Sequence, residues 1–106
     1  MEISFATKEI RRICTSADAA EAAFGIGFAN SLRRILADLR AAKYLVEFAL
    51  LYSLEIHTET IQLVIGEGTK LTLSVAHRII PLQSGALDLE KVHRVMIVAL
   101  GEVEGE

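Results

Sequence analysis

The sequence predicts an α+β domain in which an N-terminal strand and a helical hairpin pack on one face of a mostly antiparallel sheet. Three observations predict it. From Phe28 to Ala42 the large apolar residues fall at Phe28, Leu32, Ile35, Leu36 and Leu39, the spacing of a helix with one buried stripe. Between Ile61 and Val75 two runs alternate apolar and polar residues around Gly66-Glu67-Gly68, the pattern of a hairpin. Residues Val92 to Leu100 are apolar on both faces after Arg94, as a central strand requires.

The other elements follow in order. Ile3 and Phe5 alternate with Glu2 and Ser4, which gives a short strand over Glu2–Ala6. Thr7 is placed to cap a helix through KEIRRIC, with Ile10, Ile13 and Cys14 on its buried side. Ser16 restarts the helix, and Asp18 in the first turn suits the helix dipole. Gly25 and Gly27 lie between two helical patterns and predict a break, so Ala17–Phe24 leads into the helix at Phe28. Periodicity leaves Tyr44 to Leu54 open between a helix extension and a packed connection. Pro81 opens a loop, PLQSGALD, that interrupts the strands.

A chain of 106 residues with 52% hydrophobic content is one domain with a core of its own. The net charge of −3 is unevenly spread: residues 1–53 carry seven basic and six acidic side chains, residues 54–106 four and eight. That balance excludes wholesale electrostatic binding of nucleic acid and leaves room only for local basic faces. One of these is helical, with Arg33 and Arg40 two turns apart on one side and Arg34, Lys43, Arg11 and Arg12 nearby. Arg34 and Asp38 stand at the i,i+4 spacing of an ion pair.

The single cysteine, Cys14, falls at core spacing with Ile10 and Ile13, which reads as packing in a reducing cytoplasm. The longest apolar run, Tyr44 to Leu54, has eleven residues and includes Glu47, against the ~20 residues that span a bilayer. A cytoplasmic protein with no membrane association is therefore expected. No phosphate-binding loop, metal-ligand spacing or cofactor motif is present, and His57, His77 and His93 lie on separate elements.

MEISFATKEIRRIC, the glycine break and LRRILADLRAA together resemble the N-terminal half of HigB-like toxins of the RelE/ParE superfamily. GEGTKLTL falls where that family has its hairpin. IIPLQSGALDLEKVHRVMIV resembles the family's loop of a proline, a glycine, an acidic residue and a Lys-Val pair leading into the last strand. The resemblance covers nearly the whole chain apart from Tyr44 to Thr60. It implies the toxin-like component of a type II toxin–antitoxin module, with ribosome-associated cleavage of messenger RNA as the ancestral activity. The implied partners are a cognate antitoxin, the ribosome and mRNA. Gyrase inhibition, found in another branch, has no feature in this chain to support it.

Attack of a 2′-hydroxyl on its phosphate needs a proton acceptor, cations on the phosphorane and an acid for the leaving oxygen, all at one place. The resemblance and the count of basic groups in the second half nominate Lys70 and Arg78 as phosphate binders and His77 as the proton carrier, with His57 as a further member. Arg33, Arg34, Arg40, Lys43 and Arg94 are the candidates for contact with RNA or a partner. The sequence departs from the family at several points. Thr69-Lys70 replaces an aromatic-arginine pair, only TET separates His57 from the strand at Ile61, Leu89 replaces a tryptophan, and the last six residues, GEVEGE, form an acidic tail. These departures open a second reading, a catalytically impaired protein of the same fold that acts by binding an antitoxin-like partner or by oligomerising. The stretch YLVEFALLYSL is expected to be partly exposed and to serve a partner or a homodimer.

Overall fold

The computed structural model describes residues 1–66 and 68–104, the last two as backbone. Strand β1 (Glu2–Phe5) is followed by helices α1 (Lys8–Thr15), α2 (Ala17–Phe24), α3 (Ile26–Ala41) and α4 (Leu45–Ala49). Strands β2 (Glu55–Ile56), β3 (Thr60–Ile65), β4 (Thr69–Val75), β5 (Leu82–Gln83), β6 (Ala86–Leu87), β7 (Arg94–Leu100) and β8 (Val103–Glu104) complete the chain. The main sheet runs β1-β7-β4-β3-β2, with β8 also alongside β7. Every pairing is antiparallel except β1 with β7, which is parallel.

Capping chemistry sets the helix boundaries. The Thr7 hydroxyl accepts from Ile10 N–H at 3.1 Å and the Ser16 hydroxyl from Ala19 N–H at 3.2 Å. Gly25 alone makes the predicted break: its φ of 91° lies where a side chain would be strained, whereas Gly27 sits inside the first turn of α3. Helix α3 buries Phe28, Ala29, Leu32, Ile35, Leu36 and Leu39, the expected stripe with one alanine added.

That stripe packs with Ile10, Ile13 and Ala20 against the inward side of the sheet, formed by Ile61, Leu63, Ile65, Leu71, Leu73, Val75, Val95, Ile97 and Leu100. Turned the other way are Thr60, Gln62 and Val64 on β3, Lys70, Thr72 and Ser74 on β4, and Met96 on β7. The Gln62 amide donates to the Thr72 hydroxyl across that polar face at 3.3 Å. A bulge between Thr72 and Leu73 keeps Leu71 opposite Leu100, so both strands hold their apolar side inward to the end.

Tyr44 to Leu54 resolves as a short helix with a turn. The Glu47 carboxylate accepts from the N–H groups of Lys43 (2.9 Å) and Tyr44 (2.8 Å), while Leu45 and Val46 N–H donate to the carbonyls of Val92 and Leu89. Leu45 and Phe48 are fully buried, whereas Leu50 and Leu51 are 82% and 64% exposed. The expected partial exposure is present.

Three expectations need correction. The loop at Pro81 folds as a hairpin, β5–β6, because Ser84 (φ 54°) and Gly85 (φ 81°) form a two-residue turn of left-handed residues. Arg34 and Asp38 form no ion pair; Asp38 accepts a hydrogen bond from the Tyr52 hydroxyl. GEVEGE is not a plain tail: Gly101 (φ 58°) turns the chain so that β8 pairs with Ala99 and Leu100. Glu67 of the hairpin turn and the last two residues of GEVEGE lie outside the described residues. No helix among the described residues is long and apolar enough to cross a membrane.

Candidate functional site

The nominated basic groups divide between the two ends of the sheet. Lys70 and His77 are seven residues apart on a chain that stays extended and paired: β4 runs to Val75, and Ala76 N–H donates to the Arg94 carbonyl at 3.0 Å. At ~3.3 Å per residue the two residues stand about 20 Å apart. Lys70 is exposed near the Gly101 turn, where its carbonyl accepts from Gly101 N–H at 2.8 Å. It borders two depressions. One, of about 650 Å³, is lined with Phe24, Thr69, Gly101 and Glu102; the other, of about 220 Å³, with Ser53, Leu54, Glu55, Gln62 and Val64. Neither holds a histidine or an arginine.

At the opposite end His77 meets a residue that sequence reasoning left out of the site. Its ring lies edge-on to that of His93, with centroids 4.4 Å apart, and Tyr44 lies edge-on to His93 at 6.3 Å. The His77–His93 contact continues the β4–β7 ladder, in which Val75 faces Val95 and Ser74 faces Met96. Only that register brings the rings together, so the sequence signal existed but could not be read before the strands were paired.

His93 N–H donates to Nε2 of His77 at 3.1 Å. A neutral imidazole that accepts through Nε2 carries its proton on Nδ1. Its lone pair is therefore committed to a backbone amide and is not free to take a 2′-hydroxyl proton. Desolvation, then the neighbouring His93 and Arg94 charges, hold the His77 pKa below its usual value, which favours the same neutral form.

The other candidates are scattered. His57 lies beside Thr60, near the His77 end but two strands away, which is roughly 10 Å of lateral spacing. Its Nε2 is 3.2 Å from the Glu55 carboxylate, both side chains being more than half exposed. Arg78 is exposed just beyond His77. Arg94 pairs with Glu2 at 2.8 Å. Lys43 lies over the Tyr44 ring, 5.7 Å from its centre.

Arg33, Arg34 and Arg40 are exposed on α3. Arg33 and Arg40 share one side as expected and line a groove of about 400 Å³ between α3 and the α1–α2 junction, with Ile13, Ala20, Leu32 and Leu36. Cys14 also lines it, half-buried, and burial raises its thiol to about 12, a shift that Arg40 opposes. This is a packing cysteine with little thiolate at neutral pH.

No group of three or more histidine, cysteine, aspartate or glutamate residues among the described residues is arranged to hold a metal ion. No family model, curated protein or solved structure matches the chain.

Proposed function

We propose that this chain is a toxin-like protein of the RelE/ParE class, similar to HigB, that works by binding an antitoxin-like partner and not by cleaving RNA. The order of elements supports the class: a first strand set parallel beside β7, helices on one face, and an antiparallel sheet for the remainder. One observation carries the choice of binding over cleavage. Lys70 and His77 occupy opposite ends of the sheet, about 20 Å apart, whereas a base and a phosphate-binding cation must meet around a single phosphate. The committed lone pair takes His77 out as a proton acceptor even where Arg78 and Arg94 lie close in sequence and in register. Exposed Leu50 and Leu51 beside the anchored α4 add an apolar surface suited to a partner.

Induced expression in a bacterial host, with and without the product of the adjacent gene, tests the reading. Transcripts with unchanged ends and stable co-purification with that product are expected. Growth arrest with ribosome-dependent cleavage of messengers, lost in Lys70→Ala or His77→Ala, would overturn it.

A further inference from the structure

The edge of the sheet next to Lys70 carries unused backbone hydrogen-bonding groups. In the β3–β4 ladder Val75 N–H donates to the Glu59 carbonyl, which makes Glu59–Val75 a hydrogen-bonded pair. Such pairs recur every second residue in an antiparallel ladder. Ile61–Leu73, Leu63–Leu71 and Ile65–Thr69 are therefore the bonded pairs, and the N–H and C=O of Val64 point away from β4. On that outer side β2 reaches only as far as Glu55 opposite Gln62. Beyond Glu55 the chain diverges, and the notch of about 220 Å³ opens between Ser53, Leu54 and Val64, with Lys70 on its rim. Val64 is 58% exposed, and Leu50, Leu51 and Ile56 are exposed in the segment that flanks the notch.

We propose that this edge receives an extended segment of a partner protein as an added strand. The segment pairs through the backbone of Val64, lays an apolar side chain against Val64 and Leu54, and brings a carboxylate to Lys70. An unsatisfied edge is filled by strand addition, in which the backbone supplies affinity and alternate side chains supply selectivity. A second copy of this chain does not fit. If β3 paired with its own equivalent about Val64, Gly66 of each copy would fall opposite Gln62 of the other, the place that Glu55 of β2 already holds. A thin segment without its own flanking strand avoids that clash. The inference deepens the binding reading above and rests on it, and it gives Lys70 a role in partner recognition.

The test uses the full chain co-expressed with the adjacent-gene product. Amide hydrogen exchange at Val64 is expected to be fast in the free protein and slowed at least about tenfold in the complex. Val64→Pro deletes an N–H that the β3–β4 ladder does not use, so the variant should keep its circular dichroism while partner affinity falls about tenfold or more. Lys70→Glu should weaken the complex without altering the fold. Should Val64→Pro fail to fold, Val64 exchange in the wild type and the affinity of Lys70→Glu decide the matter. A stable complex with unchanged Val64 exchange and undiminished affinity in the variants overturns the added strand while leaving the binding reading intact. Failure of the wild type to bind the product at all overturns both.

Discussion

Replacing Gly101 by alanine separates two physical terms that the structure sets side by side. The residue turns β7 into β8 with φ 58°, a conformation that costs an L residue ~1–2 kcal/mol. Fewer accessible states of the unfolded chain offset about 0.5 kcal/mol of this. A Cβ at Gly101 would also stand 3.0 Å from the Thr69 methyl and 3.5 Å from Phe24 Cε1. The first distance forces a shift of a few tenths of an ångström, and the second leaves little room on the other side. Overpacking of this kind costs on the order of 1 kcal/mol. The two together give about 2 kcal/mol, or a fall of roughly 10 °C in Tm for a chain of this length. Thr69→Ser removes the offending methyl and leaves φ untouched. The double variant should therefore recover about 1 kcal/mol, measured as the coupling in a double-mutant cycle by urea denaturation. Gly101→Ala as stable as the wild type would refute the turn conformation. Loss without any coupling to Thr69 would refute the contact.

Three other outcomes are expected. The His77 pKa lies below its unfolded value, so the unfolded chain takes up the proton first. Stability from the His93 N–H bond should be full above about pH 6.5 and be lost as pH falls through the folded midpoint. An NMR titration should show the His77 ring and the His93 amide moving together, and independent midpoints would count against the bond. Cys14, raised to about 12, should be alkylated by iodoacetamide at a rate still climbing tenfold per pH unit between about pH 8 and about pH 10, where an ordinary thiol levels off. Tyr52 should ionise near pH 12, because burial and then the hydrogen bond to Asp38 hold its proton; Asp38→Asn should bring the phenol's absorbance change to lower pH.

Local pattern made the framework readable, and long-range pairing hid the rest. Helix α3 and the β3–β4 hairpin each carry a period that repeats within a few residues, so their buried faces could be written down from spacing alone. The parallel pairing of β1 with β7 joins segments some ninety residues apart, and no local period encodes it; the expectation of a mostly antiparallel sheet holds without saying which pair is the exception. Tyr44 to Leu54 is apolar in nearly every direction, and what fixes α4 is the capture of its first N–H groups by Leu89 and Val92. The hydrogen bond of Asp38 with Tyr52, fourteen residues on, was hidden for the same reason. The candidate site was the least legible part. Residue types nominated Lys70, His77 and Arg78, but strand geometry decides distance, and six extended residues lie between the first two. His93 became visible as a neighbour of His77 only through the register of β4 with β7.

The most direct measurement is the distance between positions 70 and 77 in solution. Nitroxide labels at Lys70→Cys and His77→Cys, in a Cys14→Ala background, report it by pulsed dipolar spectroscopy. A single narrow distribution centred at or beyond about 20 Å is expected from an extended β4. A population centred near about 10 Å or less would bring the two groups within reach of one phosphate and contradict the reading of this chain as a binder without a cleavage centre.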